Sequence, residues 1–264
     1  MIMPMHASGP DRIIEPDLLM LAYRSGIFPM ADARDDPDIF WVEPRRRAIL
    51  PLDGFRCSRS LARTLRRGNF TVTCNRAFGA VMRACARPRP ASDGTWISHR
   101  IEASYGMLHD LGQAHSIECW QAGDLVGGLY GVGFDRVFCG ESMFSRVPDA
   151  SKVALAWLVV ALRRAGAILL DCQFMTDHLA SLGAIEISQA EYLRRLEAAQ
   201  SPIDGSGTAL GAGALAAGAA PGEAVADGVA LGLPAGFAAV LDEALGADPS
   251  SPGNFIAQSL TQTS

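Results

Sequence analysis

The stretch from Ala114 to Phe144, "AHSIECWQAGDLVGGLYGVGFDRVFCGESMF", constrains the fold of this chain more than any other. It reads as three strands that reverse at Ala122-Gly123-Asp124 and at Gly133-Phe134-Asp135, where Gly and Asp favour tight turns. Strands joined that closely pair antiparallel. The resulting sheet needs apolar cover, and a helix from Asp149 to Ala165 follows at once, leading into the apolar strand "AILLDCQ".

The preceding segments fit the same plan. "PDLLMLAYRSG" is a short helix that stops at Gly26, and "RRRAILPL" is a strand. "CSRSLARTLRRG" is a helix with Ser58 as N-cap and Gly68 as its stop. The strand "FTVTC" and the helices "NRAFGAVMRACA" and "HRIEASYGMLHDLG" complete an α+β order without internal repeats. With 264 residues and 49% hydrophobic content the chain can build a sizeable core.

Near residue 200 the composition changes. "QSPIDGSGTALGAGALAAGAAPGEAVADG" is Gly, Ala, Ser and Pro with little aromatic content, too little to offset ordering entropy. Residues 201–264 are expected to be a disordered, low-complexity tail, relieved by one short amphipathic helix over "LPAGFAAVLDEAL".

The net charge of −5 hides an asymmetry. Residues 41–90 hold twelve arginines against two acids, Glu43 and Asp53, and no Lys or Arg follows Arg195. Such a face can bind phosphates by counterion release, with Arg63, Arg66 and Arg67 as the candidates; a solvated helix face is the alternative. No apolar run reaches membrane-spanning length and the first residues lack a signal peptide, so a cytoplasmic location without membrane contact is expected. The six cysteines are scattered, with no C-x-x-C pair and no zinc spacing, and read as reduced thiols.

Eight motifs then occur in order: "LAYRSGIFPM", "GTWI", "HDLGQAHSIECW", "LVGGLYGV", "FCGESMFSR", "DASKVAL", "LLDCQ" and "HLASLGAIEI". Over about residues 17 to 197 the chain resembles the leucyl/phenylalanyl-tRNA–protein transferase family. The resemblance implies a small N-terminal domain over 1–56 and a catalytic domain over 57–200 like that of the Gcn5-related N-acetyltransferases, with 201–264 as an addition. It implies transfer of Leu or Phe from Leu-tRNA or Phe-tRNA onto the N-terminal Arg or Lys of acceptor proteins, which marks them for N-end-rule degradation. No cofactor is implied, and a monomer is expected. Where longer members carry Trp after "GIFP" this chain has Met30, so one aromatic contact is lost or replaced.

The residues support acyl transfer. An aminoacyl ester is already activated, so the enzyme positions an amine against the carbonyl and stabilises the oxyanion. A peptide α-amino group, with a pKa near ~7.7–8.0, is partly neutral at pH 7 and needs no strong base. Gln173 suits the orientation of that amine, with Asp171 two residues earlier on the same strand face. A strand-end hydrogen-bond pair is the alternative. Glu141 supplies charge for the acceptor's amine or its basic side chain. The resemblance assigns the apolar pocket to Leu129, Phe138, Met143, Leu158 and Leu170, each of which could equally be core. It makes Trp96 and Tyr105 candidates for stacking on the terminal adenosine, and Tyr23 a further lining residue.

Rival signals are weaker. "GGLYGVG" lies between strands and opens no helix, so it does not read as a phosphate loop. Ser142 and Ser145 lack triad partners, and His109 and His115 read as structural. Two other functions remain: an acyl-CoA N-acyltransferase, whose Gly-rich pyrophosphate loop "SRVPDASK" lacks, and a non-catalytic RNA-binding protein using the arginine face.

Overall fold

Short apolar strands, capped helices and the closing turns of the meander generate a mixed sheet covered on both faces. The computed structural model describes residues 13–88, 94–201, 231–247 and 251–261. Helix α1 (Pro16–Arg24) leads to the ribbon of β1 (Phe28–Met30) and β2 (Phe40–Val42), then to β3 (Arg46–Ile49). A 3-10 turn at Leu52–Gly54 precedes α2 (Arg59–Arg66), β4 (Thr71–Cys74), α3 (Phe78–Cys85) and α4 (His99–Asp110). The meander is β5 (Ala114–Gln121), β6 (Asp124–Phe134) and β7 (Val137–Ser145). Next come α5 (Ala150–Arg164), β8 (Leu169–Gln173), α6 (Asp177–Ser181), β9 (Ile185–Ser188) and α7 (Gln189–Gln200). Helices α8 (Leu233–Ala247) and α9 (Pro252–Thr261) end the described chain.

The large sheet has seven strands in the order β4-β5-β6-β7-β8-β3-β9. Every pair is antiparallel except β7 and β8, and α5 is the crossover that their parallel pairing requires. On one face Ile117, Leu129, Phe138 and Leu170 pack under α5, with α2, α8 and α9 outside it. On the other face Tyr130, Val132, Val137 and Leu169 pack under α1, α3, α4 and α7. Covered on both sides, β6 is buried without a break from Val126 to Phe134. Gly127 lets the first turn of α5 approach: a Cβ there would lie 2.5 Å from that of Ala150.

The α+β architecture matches the sequence-based expectation, with three differences. The strand β3 belongs by sequence to the expected N-terminal unit 1–56, yet it lies inside the large sheet between β8 and β9. The second reversal falls one residue late, because Phe134 stays paired with Val137 and Asp135 takes the positive φ of 47°. The disordered tail is the third. Residues 202–230 lie outside the described residues, but 231–261 include α8 and α9, which pack on α5 and α2. Alanine is the best helix former, and Leu233, Phe237, Val240 and Ala244 fall on one helical face that is buried. Low complexity concealed that stripe.

Phe237, with its ring 5.5 Å from that of Trp157, anchors α8. Phe237→Ala is expected to cost about 3 kcal/mol in urea unfolding. A cost below about 0.5 kcal/mol, the level of ordinary surface substitutions, would mean that α8 does not dock in solution.

Candidate active site

Strands β7 and β8 pair at three positions only, Val137 with Leu169, Phe138 with Leu170 and Cys139 with Asp171. Beyond Cys139 and Asp171 they part, and their diverging ends line a cavity of about 980 Å³. A bulge sits on each lip of the split. On β7, Tyr130 faces Ser142 and Gly131 faces Gly140, which leaves Glu141 as the extra residue. On β8, Ala48 faces Gln173 and Ile49 faces Asp171, so Cys172 is extra, and Gln173 adopts a left-handed φ of 61°. Simple alternation would send Asp171 and Gln173 the same way. The bulge instead brings Gln173 to the cavity beside Leu170 and Cys172, while Asp171 lies outside the lining.

Glu141 is almost wholly buried. It accepts a hydrogen bond from Tyr23 Oη at 2.7 Å and a long one from Tyr105 Oη at 3.5 Å, and the two hydroxyls also touch each other. Burial raises the Glu141 pKa to about 7, against the stabilising effect of Tyr23 and Gln173 on its carboxylate. Burial and Glu141 together hold both phenols well above their ordinary value, so they stay neutral donors. Gln173 lies near enough to favour the Glu141 carboxylate. Its amide nitrogen is nevertheless buried without a hydrogen bond of ordinary geometry, an unfavourable state that a ligand acceptor would relieve.

Asp171 is fully enclosed and fully engaged. Arg47 grips it with two bonds, Nε to Oδ1 at 2.9 Å and Nη2 to Oδ2 at 2.6 Å. Tyr192 Oη donates to Oδ2 at 3.0 Å, and the Gln173 backbone N–H donates to Oδ1 at 2.8 Å. The third guanidinium arm reaches the Gly26 carbonyl, and Phe28 and Tyr192 cover its faces. Burial works against the Arg47 charge, but the Asp171 carboxylate outweighs it and holds the Arg47 pKa above its usual value.

Leu129, Met143, Leu158 and Leu170 make the cavity apolar at one end, with Trp96 and Phe174 among its aromatic walls. Phe174 is 46% exposed and leans edge-on against Phe28. Arg146, Lys152 and His178 supply polar lining, and burial with the nearby Lys152 charge lowers the His178 pKa. This combination suits a ligand with a large apolar side chain and an amine or carbonyl close by. Among the described residues, no group of three His, Cys, Asp or Glu is placed to hold a metal.

The family model described as leucyl/phenylalanyl-tRNA protein transferase matches residues 49–197, and that of the family's N-terminal domain matches residues 12–45. The chain belongs to this family. A leucyl/phenylalanyl-tRNA–protein transferase of Novosphingobium aromaticivorans is 66% identical over 264 residues, covering 95% of this chain and 97% of its own. Transferases of the same name are 58% identical in Rhizorhabdus wittichii, over 76% of this chain and 81% of theirs, and 56% in Zymomonas mobilis, over 72% and 70%. Among solved structures, a conserved Staphylococcus epidermidis protein of unknown function is 10% identical, covering 67% of this chain and 66% of its own. Its TM-score of 0.37 is too low to carry an argument.

In this transferase, the residues singled out by sequence divide sharply. Glu141, Gln173, Trp96, Leu129, Met143, Leu158 and Leu170 all line the cavity. Phe138 does not: it is fully buried in the core under α5, beside the backbone of Gly131. Tyr105 cannot stack on an adenosine, because it has no exposed surface and lies edge-on to Tyr23 and Tyr130. Tyr23 is buried as well and reaches the site only through Glu141. His109 stacks on Phe78, and burial lowers the His115 pKa to about 4.

The arginines divide as well. Arg47, counted by sequence with the phosphate-binding face, is only 1% exposed and unavailable to a polyanion. Arg63, Arg66 and Arg67 are exposed on or just after α2, and Arg89 lies outside the described residues. Sequence reasoning did not assign Arg47, Tyr192 and Phe174 to the site. Only Arg47 left a signal, as a charge inside the apolar alternation of "RRRAILPL".

Two measurements follow from these groups. Asp171→Asn leaves Arg47 buried without its counter-charge, and urea unfolding is expected to show a loss of about 3–5 kcal/mol. A folded variant of wild-type stability would remove the pair from its central place. For Glu141, the raised folded pKa means that its stability contribution is greatest below the unfolded pKa and falls as pH rises toward about 7. Between pH 5 and 8 the stability of Glu141→Gln relative to wild type should therefore rise, by at most about 3 kcal/mol. A difference that stays flat with pH would show that Glu141 titrates normally.

Proposed function

We propose that this cavity transfers Leu or Phe from Leu-tRNA or Phe-tRNA to the N-terminal Arg or Lys of an acceptor protein, as a step toward N-end-rule degradation. The observation that carries this reading is the join, across one strand split, of an apolar pocket with a buried carboxylate and an amide whose nitrogen has no hydrogen bond of ordinary geometry among the described residues, in a chain of this family. In the reaction the neutral acceptor amine attacks the ester carbonyl carbon, and a C–N bond forms as the C–O bond to the ribose breaks. The amine proton ends on the departing ribose oxygen. The ester is already activated, so orientation and electrostatics suffice.

The residues take distinct parts. Leu129, Met143, Leu158 and Leu170 hold the transferred side chain by shape and desolvation, which exclude a polar one. Gln173 orients the attacking amine through its side-chain amide. Asp171 acts as a positioning residue, since it holds the Gln173 backbone N–H rather than the side-chain amide. Glu141 binds the acceptor's amine or its basic side chain, more tightly as pH rises through about 7. Trp96 stacks on the terminal adenosine. Arg63, Arg66 and Arg67 contact tRNA phosphates, and their exposure around one recess, without an ion pair to an acidic side chain among the described residues, supports this.

The catalytic unit is a Gcn5-related fold in this reading, and the protein acts as a cytoplasmic monomer. The antiparallel β5-β6-β7 meander, the α5 crossover and the parting of parallel β7 and β8 support the fold assignment. No helix among the described residues is long and apolar enough to cross a membrane.

Labelled Leu-tRNA offered with peptides that start with Arg or Asp tests the reaction. Product is expected with Arg and little with Asp; equal transfer to both would sink the acceptor reading. On the Arg peptide, Gln173→Ala should lower the rate at least tenfold, or about 1.4 kcal/mol of barrier, with tRNA affinity near wild type. A folded Gln173→Ala with the wild-type rate would take Gln173 out of the reaction.

A further inference from the structure

Helix α2 and its C-cap carry four arginines, Arg59, Arg63, Arg66 and Arg67, that form no ion pair with an acidic side chain among the described residues. They line one recess together with Cys57, Ala62 and Thr261. Thr261 is the last residue of α9, so the C-terminal helices build one wall of an arginine-lined surface. The family model for the catalytic part ends at residue 197, well before them.

The fit between α9 and α2 is tight. A Cβ on Gly253 would lie 2.2 Å from the Leu65 carbonyl oxygen, so glycine is required for the helices to meet. Ser251 Oγ donates to the Arg66 carbonyl at 2.7 Å and satisfies one of the acceptors that a helix end leaves open. Arg163 on α5 completes the frame: it donates to Ser259 O on α9 at 3.2 Å and to Leu52 O, ahead of α2, at 3.1 Å. The C-terminal end of α9, with its partial negative charge, stands at the recess and favours cations there. At the other side of α2, Thr64 Oγ1 lies 3.4 Å from Asp149 Oδ2, and Asp149 lines the catalytic cavity. The arginine surface and the cavity therefore adjoin through α2 and the first turn of α5.

We propose that α8 and α9 are a positioning element for tRNA binding, which holds α2 so that Arg63, Arg66 and Arg67 form a fixed phosphate-binding face beside the cavity. The inference rests on the reading of those arginines as phosphate contacts. Its separate content is that packing at Gly253 and Ser251 sets the affinity for the tRNA body and not the chemistry at the ester.

Two donors separate these terms in the full-length protein: Leu-tRNA, and leucyl-adenosine, which carries the ester without the polyanion. Gly253→Leu wedges α9 away from α2, and Gly246→Ala, where an added Cβ meets nothing within 4 Å, is the control. The wedge is expected to raise KM for Leu-tRNA about tenfold near physiological salt and to flatten its salt dependence. Transfer from leucyl-adenosine should stay at the wild-type level. If Gly253→Leu fails to fold, Ser251→Ala is read in the same way, with a smaller shift.

Triple replacement of Arg63, Arg66 and Arg67 by Ala completes the test. If the triple variant loses salt dependence while Gly253→Leu and Ser251→Ala keep wild-type KM and slope, the positioning inference is overturned and the phosphate reading stands. An unchanged slope in the triple variant overturns both. Equal losses with the two donors, in step with a lower Tm, would reduce α8 and α9 to general stabilisation and also overturn the inference.

Discussion

The buried pairing of Arg47 with Asp171 is the interaction on which the site's geometry depends. Enclosing two charges is costly, and the attraction between them offsets that cost only when the geometry is good and every remaining hydrogen-bonding group is satisfied. Here Asp171 receives four hydrogen bonds and Arg47 spends its third arm on the Gly26 carbonyl. The pair ties β3 to β8, and Tyr192 adds α7 to the same knot. One of the four donors is the backbone of Gln173, whose left-handed φ is unfavourable for a residue with a side chain and persists because its surroundings impose it. The charge pair thus fixes the backbone that presents the amide.

The split between β7 and β8 follows from the same arrangement. Parallel pairing stops where each strand spends a residue on a bulge, and each bulge delivers one polar side chain to the opening. Glu141 arrives from one lip and Gln173 from the other, over an apolar pocket that the crossover helix α5 closes from below. Two neutral phenols back Glu141, so burial is not matched by a cation and its pKa climbs to about 7. Asp171, one strand away and equally buried, has a guanidinium in full contact. The same residue chemistry yields a carboxyl with a raised pKa in one place and a structural ion pair in the other.

Much of this was legible in the sequence, and the rest was hidden for identifiable reasons. Turn residues and alternation marked the meander, and Ser58 and Gly68 bounded α2, because those signals are local. The pocket residues Leu129, Met143, Leu158 and Leu170 came from motif resemblance, and Glu141 and Gln173 from the chemistry that acyl transfer needs, none of them from periodicity. Bulges were invisible. They break the period-two rule at Glu141 and Cys172, so Asp171 was assigned to the face that Gln173 in fact leaves. Tyr105 was a candidate for stacking on the adenosine and Phe138 for the pocket wall or the core, and both are core, since a motif fixes which residues matter without fixing which way they point. Tail composition misled in another way, by averaging a buried helical stripe into a Gly/Ala-rich background.

Charge counts carry the same lesson one step further. The arginine-rich stretch looked like a single basic face, but partners sort its members into different work. Arg47 is consumed by Asp171, Arg46 meets Glu186 at the sheet edge, Arg76 covers Trp120 and Arg83 faces Glu102. Four of the described arginines without an ion pair, Arg59, Arg63, Arg66 and Arg67, gather on α2 and its C-cap, where the apolar positions Leu61, Ala62 and Leu65 commit the opposite side to the core and to α9. A helix so amphipathic cannot turn its arginines inward without exposing that apolar side. Their outward direction is thus enforced by hydrophobic burial, and a polyanion meets cations whose orientation is already fixed.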